Sequence, residues 1–139
     1  MLRAMVGVIV GYVIWTVLWL GGNAVLFSAA TERVEAGEPF AEVGPLIEVI
    51  LLSIVCSLAA GVSAAAIARE RARPVVLVTA ALLLVTGVAV QINVWALLPL
   101  WYHLTFLTLI VPVCVFAGRL NQRAAHDGVQ RERVSADRS

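Results

Sequence analysis

Four long apolar runs constrain the possible folds of this chain more than any other feature of its 139 residues. They cover residues 4–27, 46–68, 75–98 and 100–118. Three of the runs exceed the roughly 20 residues that a helix needs to cross the hydrocarbon core of a bilayer, and the fourth is only slightly shorter. Only 14% of the residues are charged. The first run shares a basic flank, Arg3, with signal peptides, but its apolar core is longer than the roughly 7–15 residues of such signals. The sequence therefore predicts an all-α, membrane-embedded four-helix bundle whose main partner is the lipid bilayer.

The distribution of arginine predicts the orientation of this bundle. All ten basic residues are arginines, and nine of them lie at the N-terminus, between the second and third runs, or after the fourth run. Short loops rich in arginine are retained in the cytoplasm, so we expect an up-down-up-down arrangement with both termini cytoplasmic. Arg33 alone falls in residues 28–45, which we expect to form a solvated acidic loop on the outer side. The polar segment 121–139 cannot bury a core, and we expect it to be a partly disordered cytoplasmic tail.

Small residues mark the faces on which the helices are expected to pack. In lipid there is little hydrophobic gain from helix association, so close approach through small side chains supplies much of the attraction. This pattern predicts a central second helix, and it favours association with another copy or another membrane protein. The residues concerned are Gly7 and Gly11 in the first run, and Ser53, Ser57, Gly61 and Ala64 in the second.

Polar and aromatic side chains gather at one level of the predicted bundle, near its outer surface. Two interpretations compete for them: a belt that anchors the protein at the membrane interface, or a pocket open to the outside, since lone polar groups are costly in hydrocarbon. Gln91 and Asn93 are two positions apart and point to different faces of a helix, so at most one should face a shared pocket. The predicted pocket residues are Asn23, Glu48, Gln91, Asn93, Trp101, Tyr102 and His103.

Three functions are compatible with these features. The leading hypothesis is a structural or accessory role through helix-mediated association, and the alternative is binding or transport of a small molecule or lipid in the outer pocket. A membrane enzyme with Glu48 and His103 as acid and base is the third, and it requires the two groups to lie within hydrogen-bond reach. His103 and His126 are the only histidines and fall on opposite sides of the predicted bundle. The sequence accordingly predicts no metal site, no cofactor and no nucleic-acid partner.

One series of residues carries a family resemblance. Gly87, Asn93, Pro99, Trp101 and Tyr102 precede an aliphatic helix that contains Pro112 and closes with Gly118-Arg119-Leu120. This order resembles the C-terminal half of small four-span bacterial integral membrane proteins of uncharacterised function. The resemblance implies the same topology in a bacterial inner membrane, and it implies no activity. Abundant alanine, valine and arginine without lysine also favour a GC-rich bacterial source.

Overall fold

Helices account for nearly all of the structure, a computed structural model that describes the backbone of residues 1–136 and the side chains of residues 1–124. Within residues 1–136 there is no strand, so the predicted all-α class is confirmed. A 3₁₀ turn, Arg69–Arg71, connects the third and fourth helices. The helices are α1 (Leu2–Leu26), α2 (Ser28–Glu35), α3 (Val43–Ala68), α4 (Ala72–Asn93) and α5 (Leu100–Ala136).

Three helical stretches are long and apolar enough to cross a membrane: Leu2–Leu26, Val43–Asn93 and Leu100–Ala124. The middle stretch contains both α3 and α4, which the 3₁₀ turn joins without a break. The chain turns there at Arg69, which adopts a positive φ of 50°. Large aliphatic side chains on the outer faces, such as Ile9, Leu51 and Leu104, are more than half exposed. The length of these helices and their apolar surfaces suit a membrane protein.

Helix α3 packs against α1 through backbone surfaces that carry almost no side chain. A Cβ atom added to Gly7 would lie 3.0 Å from the carbonyl oxygen of Ala64, and one added to Gly11 would lie 3.1 Å from that of Ala60. The two helices therefore approach each other closely, as helix contacts built from small residues allow. One turn beyond Gly11, the indole nitrogen of Trp15 donates to the hydroxyl of Ser57 at 3.3 Å.

The other side of α3 packs against α5 in the same manner. A Cβ atom at Gly61 would overlap the backbone carbonyl oxygen of Cys114. Ser53, Ser57 and Ala64 are also buried. The small residues that the sequence singles out thus lie at helix contacts within one chain, where α1 and α5 already cover them.

The helix ends differ from the predicted ones at three places. Helix α4 ends at Asn93 rather than near Leu98, and beyond its end the carbonyls of Trp95 and Leu97 accept from His103 and from the Phe40 amide. The backbone of α5 does not end at Gly118 but continues to Ala136 through residues expected to be disordered; these include alanine, arginine and glutamine, which favour helix extension. The segment expected to be a solvated loop contains α2.

Candidate functional site

A cavity of about 280 Å³ opens where the end of α1, the start of α3, the end of α4 and the start of α5 meet beneath α2. This region is called the α2 end below, and the cavity is called the α2-end cavity. Asn23, Gln91 and Tyr102 are polar residues in its lining. Its walls are mainly apolar and include Trp19, Phe27, Phe40, Leu46, Val49 and Leu98.

The acidic segment covers this cavity with a defined local structure. Phe40 is 5% exposed, and its amide donates to the carbonyl of Leu97 at 2.8 Å, which ties the segment to the α4–α5 connection. The guanidinium of Arg33 lies 5.1 Å from the centre of the Phe40 ring and pairs with Glu38 at 3.4 Å and Glu42 at 3.0 Å. Exposed ion pairs of this kind contribute little stability. Burial of Phe40, at about 1.5–3 kcal/mol for such a side chain, is the main anchor of the cover.

A buried polar pair lies beside the cavity, between the last turn of α4 and the first turn of α5. The Nδ1 atom of His103 is 2.6 Å from Oε1 of Gln91, and both side chains are almost completely buried. The Nε2 atom of His103 is 3.3 Å from the carbonyl oxygen of Trp95. The indole of Trp95 stacks on the imidazole with ring centres 4.5 Å apart, so three contacts fix the orientation of the ring.

Both ring nitrogens of His103 face oxygen atoms, and this limits the hydrogen-bonding states of the pair. An imidazolium donates to both oxygens. A neutral imidazole can donate from Nε2 to the carbonyl of Trp95. Its Nδ1 then accepts from the Gln91 amide, which must be turned so that its N–H faces the ring. Gln91 also lines the cavity. The polar pair thus contributes an amide to the cavity lining.

The remaining predicted residues divide into those at the cavity and those outside it. Asn23 lines the cavity, and its Nδ2 donates to the carbonyl of Trp19 at 2.8 Å, which leaves its carbonyl oxygen as an acceptor. Asn93 is exposed and donates to the carbonyl of Ala89 on its own helix at 2.7 Å. Glu48 and Trp101 are exposed and are not part of the cavity lining.

The acid–base hypothesis finds no geometric support at this site. Glu48 is exposed, whereas His103 is 0% exposed. Among the side chains of residues 1–124, the hydrogen bonds of His103 go to Gln91 and Trp95. A proton relay between Glu48 and His103 therefore has no contact through which to operate.

Comparison of the chain with protein-family models, curated proteins and solved structures found no match. The resemblance to small four-span bacterial membrane proteins stays a prediction.

Several residues of the site were not singled out by the sequence. Phe27 separates α1 from α2 and is buried in the cavity wall, and Phe40 is buried in its cover. The one available signal for Phe40 was its position as a lone aromatic residue among glutamates. Trp19 stacks on Trp15 at 5.4 Å and contacts Phe106 at 5.1 Å, as ring-centre distances. Its four-residue spacing from Trp15 and from Asn23 indicated a helix face shared with a predicted pocket residue.

Proposed function

We propose that the protein is an integral membrane protein that binds a small amphiphilic molecule in the α2-end cavity. One observation carries the proposal: an apolar cavity has a few convergent polar groups, with Gln91 fixed by the buried His103. Ligand sites commonly have this composition, and the volume of about 280 Å³ lies at the lower limit of the usual range of about 300–1,000 Å³. The cavity thus fits a small molecule or one segment of a lipid.

The lining indicates the chemistry of this ligand. Gln91, Asn23 and Tyr102 supply neutral amide and hydroxyl groups, while Glu35, on the exposed face of α2, contributes a carboxylate at the rim. Neutral donors and acceptors within apolar walls favour a ligand with an uncharged hydrogen-bonding group and an apolar body. An anionic head would meet no cation in this lining and would lie near a carboxylate.

The proposed setting is a bacterial inner membrane, with four spans in an up-down-up-down arrangement and both termini in the cytoplasm. The segregation of charge supports it. Exposed carboxylates of α2 and its connection lie at the α2 end, whereas Arg3, Arg69 and Arg73 line surfaces at the opposite end. Under the positive-inside rule the α2 end faces outward. A ligand would then enter the cavity from the outer leaflet or the outer aqueous phase.

The structural or accessory role through helix association stays a prediction with less support. Its motivation was the small-residue face of α3, and that face is occupied by α1 and α5 of the same chain. Association with a second copy or another membrane protein would have to use the outward aliphatic surfaces. These surfaces are equally suited to lipid, so they do not distinguish a protein partner from the bilayer.

A matched pair of substitutions on α2 tests the binding proposal. Ala30 lines the cavity, whereas its neighbour Ala29 is exposed. We expect Ala30→Phe to fill the cavity and to remove any amphiphile that co-purifies with the wild-type protein, as measured by mass spectrometry of solvent extracts. Ala29→Phe should retain it. Equal retention by both variants, or a wild-type protein purified from native membranes without a stoichiometric small molecule, would contradict the proposal.

Labelling with a membrane-impermeant maleimide on intact cells tests the orientation. The native thiols, Cys56 and Cys114, are buried, so a cysteine introduced at the surface dominates the signal. We expect Glu38→Cys to react on intact cells and Glu70→Cys to react only after the membrane is permeabilised. The reverse pattern would overturn the orientation and place the α2-end cavity on the cytoplasmic side.

A further inference from the structure

A second concave surface lies at the end of the bundle opposite the α2-end cavity. It is an open groove of about 530 Å³ between the start of α4 and the middle of α5. Arg73, Arg119 and Arg123 line it together with apolar residues that include Leu77 and Val115. We call it the arginine groove. The α2-end cavity shares none of these residues.

Close packing of the two helices brings these arginines together. A Cβ atom at Gly118 would lie only 2.7 Å from a methyl carbon of Val76, so α4 and α5 approach closely at this level. Arg119 follows Gly118 directly, and Arg123 is one helical turn further on the same face of α5. Arg73 lies in the first turn of α4. The floor of the groove is thus a contact between α4 and α5. This contact requires a small residue at position 118, because a larger side chain would collide with Val76.

The groove concentrates positive charge. Both ion pairs found among the side chains of residues 1–124 belong to Arg33 at the α2 end of the bundle. Within those residues no carboxylate pairs with these three arginines. The start of α4 adds the positive end of a helix dipole beside Arg73. Guanidinium groups bind phosphate through paired hydrogen bonds, and several around one groove favour a phosphate group.

We propose that the arginine groove binds the phosphodiester group of an anionic phospholipid. A free phosphate would use only the arginines, whereas the groove also has an apolar wall. Leu77 is 55% exposed, and it continues the aliphatic outer surface of α4 that suits lipid chains. Basic pockets between membrane helices on the cytoplasmic side bind anionic headgroups in this way. This site depends on the membrane setting and does not depend on the α2-end cavity having a ligand.

Lipid binding to the full-length protein in detergent, measured by native mass spectrometry, tests this site. Both lipids, phosphatidylglycerol and phosphatidylcholine, carry a phosphodiester, but the choline cation of phosphatidylcholine would lie among the arginines, so we expect phosphatidylglycerol to bind at least about tenfold more tightly. An arginine near an anionic surface is worth about 1 kcal/mol, a factor of about five in affinity. The triple variant Arg73→Gln/Arg119→Gln/Arg123→Gln should therefore lose roughly a hundredfold in affinity for phosphatidylglycerol. If that variant does not fold, Arg123→Gln alone, at an exposed position, should lose about fivefold.

The matched control removes three arginines from the same end of the bundle but from a different surface. Arg3, Arg69 and Arg71 line a separate groove beside the N-terminus, so Arg3→Gln/Arg69→Gln/Arg71→Gln changes the net charge equally. We expect this control to keep most of the affinity. An equal loss in both triple variants would show a diffuse charge effect and overturn the proposal. So would equal binding of phosphatidylcholine, an unchanged Arg123→Gln affinity, or displacement of the lipid by millimolar inorganic phosphate, which would indicate a free-phosphate site.

Discussion

The substitution Gly61→Ala is expected to destabilise the bundle more than any other glycine-to-alanine substitution within residues 1–124. The added Cβ would overlap the carbonyl oxygen of Cys114, which belongs to the backbone of α5 and cannot rotate away. Helices α3 and α5 must then separate along their whole contact. Overpacking of this kind costs about 1–3 kcal/mol, and a backbone obstacle places Gly61→Ala at the upper end of that range. Alanine also favours a helix over glycine by about 0.5–1 kcal/mol, which offsets only part of the loss.

The measurement is thermal or denaturant unfolding of the purified protein in one detergent, with Gly21→Ala as the matched control. Gly21 is also inside a helix, but an added Cβ there meets nothing within 4 Å. Gly21→Ala should leave the midpoint unchanged or raise it slightly, because only the helix preference of alanine acts. A Gly61→Ala protein as stable as the Gly21→Ala protein would mean that α3 and α5 do not approach as closely as the structure places them.

The helical class of this protein could be predicted because membrane helices obey a simple rule. Backbone groups in hydrocarbon must be satisfied within their own segment, so a long apolar run has few alternatives to a helix. The glycines at positions 7, 11 and 61 could be recognised as packing residues for a similar reason. The sequence could not tell whether they pack within one chain or between two chains, because both kinds of contact need the same small residues.

The cover of the α2-end cavity was beyond sequence reasoning. Helix α2 has eight residues, which is too short for a periodic apolar pattern to stand out against the glutamates around it. The amide of the buried Phe40 donates to the carbonyl of Leu97, which is 57 positions away in the sequence. The extension of α5 was missed for another reason: low apolar content argues against a buried core, but it does not prevent a helix that has already begun from continuing.

The sequence predicted that the polar residues lie at one level of the bundle, but not which of them form hydrogen bonds with one another. Helical spacing indicates that Gln91 and Asn93 face different directions, and in the structure Gln91 is buried while Asn93 is exposed. Which of the two faces inward depends on the rotation of α4 about its axis, and that is set by contacts with other helices. Gln91 and His103 lie close together in the sequence, on either side of the turn at Pro99, which suggests that they could meet. Whether they form a hydrogen bond depends on the geometry of that turn.

Replacing Gln91 by leucine is expected to lower both the stability of the protein and its affinity for the proposed ligand. Leucine cannot hydrogen-bond to Nδ1 of His103, and that nitrogen is then buried without a partner, at a cost of about 1–3 kcal/mol. The cavity also loses the amide that we propose contacts the ligand, so affinity should fall by about tenfold. The matched control is Asn93→Leu, two positions away, where the side chain is exposed and bonds only its own helix. This control should leave both quantities nearly unchanged.

The double variant Gln91→Leu/His103→Phe separates the two effects. When both partners of a buried hydrogen bond are replaced by apolar groups of similar shape, the cost to stability can be close to zero. We therefore expect the double variant to unfold closer to the wild-type midpoint than Gln91→Leu alone. Its ligand affinity should stay low, because the amide is still absent from the cavity. Recovery of binding together with stability would mean that Gln91 serves only to satisfy His103, and the polar pair would then be a structural feature of the bundle rather than part of a ligand site.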